Sequence, residues 1–84
     1  MTKFKREFDF NYNIIETVAY NVRKYRKIMG ITQEQLALDI GVSPEFMRKF
    51  ESTRGSEGLS LISLYKISIV LDVSIEKFFE SIEE

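Results

Sequence analysis

Cysteine, histidine and tryptophan are all missing from the 84 residues, and proline occurs once. Without cysteine there is no disulfide framework and no thiolate nucleophile. Without histidine there is no imidazole base, and with both gone nearly every transition-metal site goes too. No enzyme, metal or cofactor is therefore expected. Glycine is also scarce, at four residues, while 44% of the chain is hydrophobic, a balance that favours a compact globular chain over a disordered one. No apolar run approaches the roughly 18–20 residues that a membrane-spanning helix needs, and the N-terminus does not resemble a signal peptide. The expectation is a soluble, cytoplasmic chain with no membrane partner.

A chain of 84 residues suffices for one small domain whose core is marginal unless its helices pack closely or a second subunit adds burial. The formal net charge is −1, but it is unevenly spread. Ten Lys/Arg face seven Asp/Glu through Arg54, and two face six from Gly55 onward. A basic N-terminal part and an acidic C-terminal part suit a molecule with one phosphate-facing side and one remote side. Ordinary solvated charge is the plainer reading of the same asymmetry.

Residues 1–12 form an arm with Phe8, Phe10 and Tyr12 at alternate positions, compatible with a short extended segment or a frayed terminus. Lys3, Lys5 and Arg6 would suit contact with phosphates. From Asn13 the period becomes helical. Ile15, Val18, Ala19, Val22 and Met29 share one face, Arg23, Lys24 and Lys27 make a basic flank, and Gly30 supplies a left-handed stop.

The stretch "ITQEQLALDIGVSPEFMRKFE" carries the strongest local signals. Thr32 and Gln35 have the spacing of a capping box, and Ile31 with Leu36 that of a hydrophobic staple, so a second helix starts here. Its inward stripe is Leu36, Ala37 and Ile40, with Ala37 small enough to let another helix approach. Gly41 then turns the chain, Ser43 caps a third helix, Pro44 takes its first position, and Met47 and Phe50 face inward. Two helices joined by so short a glycine turn satisfy the helix-turn-helix geometry. A generic helical hairpin is the bland alternative.

After a polar loop from Ser52, Ser60 caps a fourth helix with Leu61, Leu64, Ile67, Ser68 and Leu71 inside. Ser74 caps a fifth with Ile75, Phe78, Phe79 and Ile82. An all-α fold in one domain, residues 13–84, follows.

With these segments in place the chain resembles the Cro/C1-type (XRE) helix-turn-helix regulators, through "VRKYRKIMGITQEQLALDIGVS", "FMRKFE" and "SLISLYKISIVLDVSIEKFF". Its short length and fourth and fifth helices look most like the controller proteins of restriction-modification systems. The resemblance implies a lambda-repressor-like five-helix bundle encoded by a bacterium or phage. It also implies a homodimer on a palindromic operator in double-stranded DNA, acting in transcription regulation, for instance as a repressor, without catalysis.

Carried over by position, Gln33 would meet a phosphate or a neighbouring base edge, while Ser43, Pro44, Glu45, Phe46, Arg48 and Lys49 would enter or flank the major groove. Apart from the resemblance, the basic flank Arg23, Lys24 and Lys27 could join the phosphate contacts or simply be solvated, and Arg54 could meet phosphate in a geometry that the family pattern does not fix. The resemblance, with an inward-leaning place for each residue, also implies a buried structural ion pair between Arg26 and Glu51. Pro44 and Glu45 depart from an ordinary reading helix. Glu45 repels phosphates unless it accepts from a cytosine N4 amino group, the one major-groove contact suited to a carboxylate. Thr53 and a longer passage to Ser60 depart as well.

Two rival functions follow from these departures. One is a protein-interaction module of the same fold that binds DNA weakly or not at all. The other is a magnesium-dependent nuclease built on Glu34, Asp39 and Glu45, which nothing in the spacing gathers into a pair. No small-molecule ligand is expected. Finally, Ile62, Tyr65 and Ile69 recur beside the core stripe of the fourth helix, and Phe79 and Ile82 are left over on the fifth, from which a homodimer interface is expected, the alternative being a bundle that wraps its core widely enough to cover them all.

Overall fold

A computed structural model describes residues 13–52 and 58–82. The expected arm at residues 1–12, with Lys3, Lys5 and Arg6, lies outside them, as does Arg54. Four α-helices and a 3-10 helix make up the described chain: α1 Ile14–Met29, α2 Gln33–Ile40, α3 Pro44–Glu51, α4 Leu61–Leu71 and the 3-10 helix Ile75–Phe79.

Each α-helix begins at a side-chain cap. Asn13, Thr32, Ser43 and Ser60 accept from the backbone N–H groups of Glu16, Gln35, Phe46 and Ser63 at 3.0–3.2 Å. The stops of α1, α2 and α4 share one geometry. Gly30 and Gly41 adopt φ of 85° and 81°, which lets Ile31 and Val42 donate back to the carbonyls of Arg26 and Ala37 at 3.3 and 3.0 Å. On α4 the same left-handed position is taken by Asp72, φ 57°, and Val73 donates to the Ser68 carbonyl at 3.1 Å. Asp is among the few non-glycine residues that visit this region readily.

All the segments contribute to one core. Val18, Ala19 and Val22 of α1 meet Leu36, Ala37 and Ile40 of α2, Met47 and Phe50 of α3, Leu64, Ile67 and Leu71 of α4, and Phe78. Burying each larger side chain contributes about 1.5–3 kcal/mol. Ala37 is fully enclosed, as the close approach of its neighbours requires.

Several sequence expectations are corrected. The fifth helix is a five-residue 3-10 turn with no side-chain cap from Ser74, and Ile82 lies beyond it, half-buried. The buried Asn21 of α1 is the physical reason. Its Nδ2 donates to the carbonyls of Phe78 and Glu80 at 3.0 and 2.9 Å, so these groups bond across the molecule instead of continuing a helix. Met29 does not face inward but is 44% exposed, because Arg26, three residues earlier, takes the buried place at that end of α1. Gln35 does not complete a capping box. Its Nε2 donates instead to Asp39 Oδ1 one turn on, at 2.8 Å.

Candidate nucleic-acid interface

One buried carboxylate sets the relation between α1, α2 and α3. Glu51, 1% exposed, accepts from Arg26 Nε and Nη2 at 2.9 and 2.8 Å. The fork-to-fork geometry is the stronger form of an ion pair because both N–H groups are aligned at once. The third arm of the guanidinium, Nη1, donates to the Ile31 carbonyl at 2.8 Å, just ahead of the α2 cap. Gln33 at the start of α2 donates to the same Glu51 Oε1 at 2.9 Å, and Arg23 Nη1 reaches the Glu51 backbone carbonyl at 3.2 Å. Among the described residues no buried side-chain nitrogen or oxygen lacks a partner. Two charges out of water are tolerable because every donor and acceptor is satisfied.

This hub fixes the C-terminal end of α3, and the core fixes its inner face through Met47 and Phe50. The rest of α3 is open. Ser43, Pro44, Glu45, Arg48 and Lys49 are exposed, and Phe46 is half-buried with its inner part packed on the core. Ser43, Glu45, Phe46 and Lys49 border one shallow depression at the start of the helix. Glu45 and Lys49 stand one turn apart with 4.0 Å between charged atoms, both more than half exposed. Such an exposed pair contributes only about 0–1 kcal/mol to stability.

The residues proposed for phosphate contact do not form one set. Lys24 and Lys27 are exposed, and the Lys24 ammonium lies 5.1 Å from the centroid of the Tyr25 ring. Arg23 is half-buried, bonded to the Glu51 carbonyl and 6.0 Å from the Tyr20 ring centroid. Gln33 is likewise half-buried and committed through one N–H to Glu51. The geometry thus gives Arg23 and Gln33 mounting roles that their sequence positions did not disclose.

On α4, Ile62, Tyr65 and Ile69 are turned to solvent at 67%, 59% and 61% exposure, and Phe79 is 44% exposed beside the start of the helix. A shallow depression lined by Tyr65, Ile69, Asp72, Val73 and Ile75 continues this apolar surface toward the C-terminal end of α4.

The family model described as "Helix-turn-helix" matches residues 22–78, which run from the second half of α1 through the 3-10 helix. The chain belongs to the helix-turn-helix family. Within it, a curated relative from Rhodospirillum rubrum is named an uncharacterized transcriptional regulator in the ATPase CF(0) region. It is 39% identical over 66 residues, covering 79% of this chain and 59% of the relative. The chain therefore spans well under two thirds of that relative's length. Among solved structures, the restriction-modification controller protein C.AhdI from Aeromonas hydrophila is similar at 26% identity with a TM-score of 0.71. The match covers 81% of this chain and 100% of C.AhdI. The family and the all-α fold are those of Cro/C1-type helix-turn-helix transcriptional regulators, with α2 and α3 as the paired helices.

Asn21 is the clearest residue that sequence reasoning passed over. A signal was present, since it sits one position from Val22 and three from Val18 on the buried side of α1. A polar side chain there must find partners in the fold. Among the described residues no three acidic side chains gather where they could hold a metal ion, so Glu34, Asp39 and Glu45 do not form a site of that kind.

Proposed function

We propose that the chain is a sequence-specific DNA-binding transcriptional regulator that acts as a homodimer on a palindromic operator. The carrying observation is that α3 is clamped by the Glu51 hub and by the core while its Ser43–Lys49 side stands free. A rigid helix with an open polar face is what major-groove reading requires, because base contacts discriminate only when the donors are held in register. Arg48 and Lys49 diverge by about 100° around the helix. One reaches a guanine edge while the other holds a phosphate. Lys24 and Lys27 add backbone contacts, and Arg23 and Gln33 support the reading helix from behind.

The homodimer rests on the α4 face. Ile62, Tyr65 and Ile69 are apolar side chains on one side of α4 that a monomer leaves in water, as is Phe79 beside the start of the helix, and exposed apolar surface of this kind marks interfaces. Ile82, half-buried beyond the 3-10 helix, is proposed as part of the same interface. An isologous pairing through this face sets two copies of α3 about 34 Å apart, one turn of DNA. Catalysis has no part in this reading, and the site of action is the cytoplasm of a bacterium or a phage-infected cell.

Selection of binding sites from random duplex DNA, followed by salt titration of the enriched sequence, tests the proposal. A two-fold symmetric sequence whose affinity falls steeply with salt supports it. No enrichment, together with salt-insensitive association with a protein, favours the rival reading as a protein-interaction module.

A further inference from the structure

The charges exposed on α2 and α3 are Glu34, Asp39, Glu45, Arg48 and Lys49, so acids outnumber bases on the helices assigned to meet DNA. Two of the acids are accounted for without DNA. Asp39 is held by Gln35 Nε2, and Glu34 lies in the first turn of α2, where the helix dipole favours a carboxylate. Glu45 likewise lies in the first turn of its helix, but that helix is α3, and Glu45 borders the same depression as Ser43 and Phe46 and stands 4.0 Å from Lys49.

Binding to DNA of arbitrary sequence is almost wholly electrostatic, and each lysine or arginine that neutralises a phosphate strengthens it. A carboxylate on the reading helix opposes that attraction directly, and it also shares the charge of one of the two cations on α3. Most base edges offer Glu45 nothing in return. Guanine and thymine present acceptors in the major groove, the adenine N6 amino group lies between the acceptors adenine N7 and thymine O4, and the cytosine N4 amino group is the donor best placed for a carboxylate.

Resting on the assignment of α3 as the reading helix, we propose that Glu45 is a specificity-determining residue that works by rejecting DNA without a suitably placed cytosine. On non-operator DNA, Glu45 repels the backbone and keeps Lys49 partly neutralised. On the operator it accepts from the cytosine amino group, and Lys49 is released to the phosphate or base beside it. Discrimination is then raised by weakening the wrong complexes more than by strengthening the right one.

The test uses the full chain, its selected operator and a scrambled duplex of equal length, titrated between about 50 and 200 mM salt. Glu45→Gln should bind the scrambled duplex roughly tenfold more tightly, with a log–log salt slope steeper by about 0.9, while operator affinity changes less than about threefold. Glu45→Asp, which keeps the charge, should retain the parent's weak binding to the scrambled duplex. Both variants leave the Ser43 cap and the core contacts of α3 in place, so both should fold, which circular dichroism verifies. Unchanged scrambled-DNA affinity in Glu45→Gln, or an equal gain on both duplexes, overturns the role of Glu45 and leaves α3 as the reader. Failure to select any operator overturns both statements.

Discussion

On α3 the residues turned to solvent are Ser43, Pro44, Glu45, Arg48 and Lys49; on α4 they are Leu61, Ile62, Tyr65, Lys66 and Ile69. Both helices bury their inner faces in the same core, so their outer faces differ for reasons that core packing does not supply. The polar face of α3 is backed by a polar mount, the carboxylate of Glu51 with Arg26 and Gln33 around it. The apolar face of α4 is backed by apolar contacts, and the 3-10 segment beside it is held by the buried Phe78 side chain and by the amide of Asn21. If α3 makes directional contacts, as proposed, it is itself directionally held. If α4 pairs with a copy of itself, that face needs only shape and a dry backing.

The comparison breaks most severely at the polar mount. Glu51→Ala removes the partner of a buried guanidinium and leaves Arg26 uncompensated, and Arg26→Ala strands the carboxylate in the same way. Either should lose about 3–5 kcal/mol of stability in a denaturant titration. If Arg26→Ala unfolds at the parent's midpoint with the same slope, the hub does not hold α3.

Next in size is the α4 face. Ile69→Asp places a charge in the proposed interface without touching the core, so it should give a folded monomer by sedimentation. Operator affinity should fall roughly a hundredfold, because two linked half-sites gain about that much from being bound together. A parent that sediments as a monomer at high micromolar concentration contradicts the dimer and leaves the α3 assignment standing.

The Asn21 latch is a smaller lever. Asn21→Ala leaves the carbonyls of Phe78 and Glu80 without their cross-molecule donor, and should lower stability by about 1–3 kcal/mol. Because the latch anchors the segment that carries Phe79, dimerisation should weaken with it, whereas the α3 face in the surviving folded protein should be unaltered. Hydrogen exchange that quickens in the 3-10 segment but not in α3 is the expected pattern.

The helical frame was readable because its signals are local. Thr32, Ser43 and Ser60 cap within three residues, and Gly30 and Gly41 terminate within one turn, so capping chemistry marks the helix ends, whereas periodicity puts Leu61 on the inner stripe of α4 although it is 76% exposed. The C-terminal element was misread because its conformation is decided by Asn21, 57 residues away from Phe78 in the chain. The same distinction holds at the interface. The exposed positions on α3 follow from helix phase, and the pairing of Arg26 with Glu51 came from resemblance to a family. That Gln33 and Arg23 also converge on Glu51 is a matter of three helices meeting, which no spacing along the chain encodes. Asp72 holds the left-handed stop of α4 at φ 57°, where glycine is the usual residue, so residue type alone does not disclose it.

The central claim, that α3 reads base sequence, is tested most directly by repeating the binding-site selection with Arg48→Ala beside the parent. The same two-fold symmetric sequence is expected from both proteins, with base preference relaxed by about 1–3 kcal/mol at one position in each half-site of the variant, or affinity reduced across all sequences if Arg48 holds a phosphate. Identical base preferences at every position and identical affinity would contradict it.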